Sequence, residues 1–233
     1  MHYRVYGNGP RAVVLMHGWG ASGEAMRCLV GAFPSRLAVL PDLYGFGKTP
    51  HPDHPLRLSD YVDGIIDLLG RLGIKRAIFV GHSFGGRVAI KLAAVRADLV
   101  EGLVLINSAG VRTKKTLAQK RAEKRYKRAK RLGLDVSQYG SSDYRALSGA
   151  IKSTFVAVVN EDLTGILGKI HCPTLVVTGG LDEATPPATA RVIKRKIRGA
   201  TLLKIDGAGH FSYLDAPNVV RRAIQAWQEE KLC

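Results

Sequence analysis

Ala77-Ile78-Phe79-Val80-Gly81-His82-Ser83-Phe84-Gly85-Gly86 runs from a short apolar segment into a glycine-rich turn, and the helical pattern Arg87–Val95 follows at once. The turn has the form G-x-S-x-G. Alone, that pattern is weak. Between a strand and a helix it has the setting of a nucleophile elbow, in which a serine projects from a sharp, strained turn. Glycines two residues before and two after the serine let the chain fold back that tightly. Gly86 would ease close packing of helix on strand.

Outward from this turn the chain keeps the same rhythm. Ala12–Met16, Leu37–Leu40, Arg76–Val80, Leu103–Ile106, Thr174–Thr178 and Thr201–Ile205 are short, continuous apolar runs. Such runs suit the central strands of a parallel sheet covered on both faces. Helix patterns at about 59–72, 84–96, 184–197 and 216–230 lie between them, with Ser59 as N-cap of the first. The alternation predicts an α/β fold with a mostly parallel, doubly wound sheet. It breaks between 111 and 168, where a helical stretch to Arg131, a Gly140-Ser141-Ser142 turn and a second helical stretch, Ala146–Val159, replace strands. The expected organisation is a core of residues 1–110 and 169–233 with a helical cap inserted at 111–168.

The 233 residues are 46% hydrophobic and 23% charged, a globular composition that excludes disordered and collagen-like chains. No apolar run approaches the length of a membrane span, and the N-terminus has no apolar signal region. Cys28, Cys172 and Cys233 suggest neither a disulfide framework nor a metal site, so a cytoplasmic, reducing compartment is expected. Charge is the unusual feature. There are 35 Lys and Arg against 19 Asp and Glu, a net of +16. Eleven of the basic residues fall between Val111 and Arg131, opposed there by Glu123 alone. Ala118, Ala122, Tyr126 and Ala129 would form a thin apolar seam along that helix. A second cluster, Arg191 to Arg198, lies on another predicted helix. This balance points to an anionic partner, substrate or surface.

A serine hydroxyl needs a base, and the base needs an orienting carboxylate. After a strand–turn–helix nucleophile the acid comes next along the chain and the histidine last. Only His171 and His210 follow Ser83. His171 leads into a strand, at the wrong end of the sheet. His210, in Gly207-Ala208-Gly209-His210, follows a strand and is the expected base. Asp182, after Thr178-Gly179-Gly180-Leu181, is the expected acid, with Glu183 and Asp206 as rivals. Asn107 occupies the place after the preceding strand and cannot serve as an anion. The expected oxyanion donors are the backbone N–H of Phe84, next to the nucleophile, and of Trp19, in the loop His17-Gly18-Trp19-Gly20. His17 reads as a structural hydrogen-bonder in that loop. No metal or organic cofactor is needed.

Together with Pro41-Asp42-Leu43-Tyr44-Gly45-Phe46-Gly47 and Gly207-Ala208-Gly209-His210-Phe211, these segments occur in an order that resembles the α/β-hydrolase superfamily over nearly the whole chain. The resemblance implies a sheet of eight strands, or seven if trimmed, and a helical cap. A serine nucleophile sets the chain apart from haloalkane dehalogenases and epoxide hydrolases, which use a carboxylate. It implies a serine hydrolase cleaving an ester or related acyl substrate. Carboxylesterases, C–C bond hydrolases, cofactor-free perhydrolases and thioesterases share these motifs. His17-Gly18-Trp19-Gly20 followed by Met26-Arg27-Cys28 also resembles carboxylesterases acting on acyl-carrier-protein esters, which a basic cap would suit. His82 and the far more basic cap depart from that pattern. The reading from another class is a non-catalytic scaffold binding an anionic surface or nucleic acid. No nucleic-acid motif supports the latter.

Overall fold

A computed structural model describes residues 1–113, 117–135 and 142–232. Seven strands form one sheet: β1 (Tyr3–Tyr6), β2 (Arg11–Met16), β3 (Arg36–Pro41), β4 (Ala77–His82), β5 (Val100–Ile106), β6 (Thr174–Gly179) and β7 (Thr201–Ile205). Their order is β1-β3-β2-β4-β5-β6-β7. All neighbours pair in parallel except β1, which runs antiparallel to β3 in the register Val5 opposite Val39. The six expected strands are present: β7 has the expected bounds, β4 begins one residue later and ends two later, and the other four are longer by one to three residues. β1 is the strand the sequence reading left out. It is a short edge strand whose residues alternate between exposed and half-buried, so no continuous apolar run marks it.

The helices are α1 (Leu58–Arg71), α2 (Phe84–Val95), α3 (Leu117–Arg131), α4 (Ser142–Ala146), α5 (Gly149–Asn160), α6 (Pro187–Lys196), α7 (Ser212–Asp215) and α8 (Pro217–Leu232). A 3-10 segment, Gly23–Ala32, follows β2. Side chains alternate across each strand. On one face Val14, Met16, Phe79 and Leu105 join α1, α2 and α6 through Ile65, Leu68, Val88 and Ile193. On the other, Val13, Leu15, Ile78 and Val80 meet Leu29, Phe33, Tyr213, Ile224 and Trp227. Both faces are covered, which is why the central strands read as unbroken apolar runs.

After β2 the chain crosses to one side to make β3, and after β4 to the other to make β5. The strand order therefore reverses between β2 and β4. In open α/β sheets the crevice beyond the carboxyl ends at that point is where ligands bind. The loop His17–Gly20 and the turn at Ser83 both open onto it.

Within the described part of 111–168, helices replace strands. Tyr126 is half-buried and Ala129 buried, but Ala122 is exposed, so the seam on α3 is shorter than its spacing predicts. The side chain of Ala118 and the turn residues Gly140 and Ser141 lie outside the described residues. Among the described residues no helix is long and apolar enough to cross a membrane.

Candidate active site

Ser83 sits between β4 and α2 with φ 50° and ψ −107°. This left-handed conformation is strained for a non-glycine residue. The residues two positions before and after it must be glycine. A Cβ on Gly81 would lie 2.5 Å from the Gly85 carbonyl oxygen, and one on Gly85 would strike the carbonyl of Met16. The turn is held by Ser83 N–H donating to Ile106 C=O and Gly85 N–H donating to His17 C=O, at 3.1 and 3.0 Å.

The structure brings the three predicted side chains together. His210 Nε2 is 3.1 Å from Ser83 Oγ, and His210 Nδ1 is 3.0 Å from both carboxylate oxygens of Asp182. Asp182 is buried. Burial pushes its pKa upward, but hydrogen bonds from His210, Thr185 and Asn107 outweigh that and carry it down to about 2. The rivals stand elsewhere: Glu183 is exposed, and Asp206 pairs with Lys204 at 2.5 Å. His171 lies just before the start of β6, at the opposite edge of the sheet from Ser83.

Three supporting groups escaped the sequence reading. Asn107, with φ 46°, donates from Nδ2 to Asp182 Oδ2 at 2.6 Å and to Gly209 C=O at 3.1 Å, while its Oδ1 accepts from Ser212 Oγ at 2.5 Å. Its position directly after β5 is the signal in the sequence, although an amide carries no charge. Thr185 donates from its N–H to Asp182 Oδ1 at 2.9 Å and from its hydroxyl to Oδ2 at 2.5 Å. His82 donates from Nε2 to the His210 carbonyl at 2.9 Å, and burial lowers its pKa to about 4, so it is neutral at pH 7.

His17 is also buried, which lowers its pKa. Its Nδ1–H donates to Gly18 C=O at 2.7 Å and its Nε2 accepts from Leu43 N–H at 3.0 Å. It shapes the loop that carries Trp19. Among the described residues no turn or loop hydrogen bond takes up the Trp19 or Phe84 N–H.

Beside Ser83 lies a cavity of about 550 Å3. Its wall is largely apolar, with Trp19, Phe155, Val158, Val159 and Phe211. Trp19 stacks edge-on against Phe46, Phe84 and Phe155, with ring centres 4.9, 5.2 and 4.9 Å away. Arg87 is the one Lys or Arg on the wall among the described residues, and it is committed. Its guanidinium donates to the carbonyls of Val158, Glu161 and Val159 at 2.7, 2.9 and 3.1 Å, at the C-terminal end of α5. Lys91, one turn further along α2, pairs with Glu161 at 2.6 Å. Midway along, α5 is tied down by Thr154, whose Oγ accepts from Leu56 N–H at 2.8 Å. No side chain of α3 lines this cavity among the described residues.

The comparisons with known proteins agree with this architecture. A 110-residue stretch is 36% identical to an uncharacterized protein of Mycobacterium tuberculosis, covering 47% of this chain and 32% of that one. The chain thus matches about a third of the length of that relative. Over 98% of its length it is 26% identical to 94% of the (E)-2-((N-methylformamido)methylene)succinate hydrolase of Acinetobacter baylyi. The crystal structure of the enol-lactonase from Burkholderia xenovorans superimposes with a TM-score of 0.78 at 24% identity, over 98% of this chain and 96% of that one. A sequence model of the Alpha/beta hydrolase family matches residues 13–223, and with its seven-stranded sheet and reversed strand order the chain belongs to that family.

Proposed function

We propose that the protein is a serine hydrolase that cleaves esters through an acyl-enzyme. The observation that carries this reading is the unbroken chain of contacts from Ser83 Oγ through His210 to Asp182, at 3.1 and 3.0 Å, on a strained turn beside an apolar cavity. Asp182 holds His210 with Nδ1 protonated, leaving the Nε2 lone pair toward Ser83. Nε2 takes the hydroxyl proton as Oγ attacks the ester carbonyl. The carbonyl oxygen becomes an oxyanion and accepts from the N–H groups of Phe84 and Trp19. The imidazolium returns the proton to the leaving alkoxide, the C–O bond breaks, and an acyl-Ser83 ester remains. Water, deprotonated by His210, attacks that ester and releases a carboxylic acid and free Ser83.

The apolar wall, and the engagement of its cation with backbone carbonyls, fit an uncharged acyl group. Residues 111–168 act as the cap of the site, with α5 as the part that closes over the cavity. The same groups would serve C–C bond or carrier-linked ester hydrolysis. The test is intact mass after treatment with a fluorophosphonate probe. A single adduct on the wild type that is lost in Ser83→Ala is expected. No adduct on folded wild-type protein would refute the reading.

A further inference from the structure

The face of α3 turned away from the half-buried Tyr126 and the buried Ala129 is unusual. Arg121, Lys124, Arg125 and Arg128 follow one another at helical spacing, so they form one stripe. They line a groove of about 510 Å3. Arg121, Lys124, Arg125, Arg128, Lys130 and Arg131 have no acidic partner among the described residues, while Lys127 pairs with Glu123 at 2.8 Å. On the same face as the stripe, Leu117 opens the helix and Leu132 follows its end. These side chains are 73% and 57% exposed, and Leu134 nearby is 59% exposed. A row of cations about 10 Å long, set between leucines about 20 Å apart, therefore faces solvent.

We propose that this face of α3 docks the protein onto an anionic phospholipid surface. Cations at headgroup level attract anionic lipids, and leucines at the two ends of the row can enter the acyl boundary without deep insertion. The placement suits delivery of an apolar molecule. α3 and α5 both lie in the segment that leaves the sheet at the carboxyl end of β5, the edge that carries Ser83. The cavity rim is itself apolar and open: Val159 and Phe211, which line the cavity, are 40% and 47% exposed. Among the described residues the face lacks an aromatic ring on which a base could stack, as Tyr126 falls on the opposite side. Nucleic-acid binding is thereby the weaker fit.

The experiment is co-sedimentation of Ser83→Ala protein with phosphatidylcholine vesicles, with and without phosphatidylglycerol. It reads binding, not turnover, so it stands or falls apart from the catalytic reading. Binding that requires phosphatidylglycerol and weakens steeply with salt is expected. Each cation at such a surface is worth about fivefold. Replacing Arg121, Lys124, Arg125 and Arg128 together by Gln should therefore weaken binding by more than about 100-fold. Replacing Leu117 and Leu132 by Ser should weaken it while keeping the salt dependence. Both sets should keep the circular-dichroism spectrum and the urea-unfolding midpoint of the parent protein, which shows that they fold. Absence of binding by folded protein, or equal binding by the Gln variant, overturns the proposal. So does tighter binding to a short DNA duplex, or to an acidic acyl carrier protein, than to the vesicles.

Discussion

Asn107 Nδ2 stands 2.6 Å from Asp182 Oδ2, and the same amide reaches Gly209 C=O, one residue before His210. One neutral side chain thus ties the proposed acid to the loop of the proposed base. Its left-handed backbone suits asparagine, which adopts that region more readily than most residues.

Asn107→Ala removes a donor from a buried carboxylate, an interaction worth about 1.5–3 kcal/mol. A fall in kcat of about 10- to 100-fold is expected, with folding kept. Asn107→Asp keeps the shape but sets two carboxylates side by side, so that one holds a proton to higher pH. Its kcat profile should lose the acid limb at higher pH than wild type. An unchanged profile in both variants would mean that Asn107 has no part in positioning the acid.

Arg87 joins the start of α2 to the end of α5 through three carbonyl contacts. Arg87→Met should leave fluorophosphonate labelling of Ser83 in place but raise KM for a bulky aromatic ester about tenfold, because α5 loses its clamp. Arg87→Lys should fall between, since an ammonium cannot span all three carbonyls in the planar fork of a guanidinium. Steady-state kinetics on small and bulky esters separates these outcomes.

The strain at Ser83 is measurable. Serine with φ 50° costs about 1 kcal/mol relative to glycine, which adopts that region freely. Ser83→Gly should be more stable than Ser83→Ala by about that amount in urea unfolding, although both are inactive. Equal stabilities would show that the turn is not strained.

Acid should act on the fold in two windows. Burial lowers the pKa of His82 from 6.5 to about 4, so it stays neutral in the folded chain while the unfolded chain takes up a proton. Its contribution is complete above pH 6.5 and lost as pH falls toward 4, about 3 kcal/mol in all. His17, lowered in the same direction, adds to this loss. Asp182, brought from 3.8 to about 2, contributes above pH 3.8 and loses its contribution as pH falls through 2. Urea unfolding between pH 7 and pH 2.5 should show both declines. His82→Gln should flatten the upper one and Asp182→Asn the lower.

The strands were legible in the sequence because a parallel sheet buried on both faces demands unbroken apolar runs, and Val13 to Met16 and Ile78 to Val80 supply them. The turn at Ser83 was legible because close backbone approach at Gly81 and Gly85 excludes every other residue. His210 and Asp182 followed from chain order and from lying after strands. What the sequence by itself determined was therefore whatever depends on local spacing: the elements, the elbow and the candidates for each chemical role. Tertiary structure alone decided the rest. Glu183 and Asp182 are neighbours in the chain, and only the packed loop turns one to solvent and the other to His210. Asn107, Thr185 and His82 matter through contacts across 75, 78 and 128 positions, made by neutral groups that no motif requires. The basic helix was conspicuous by composition, yet which way it faces depends on where Ala129 and Tyr126 find cover, and that is set by folding of the whole chain.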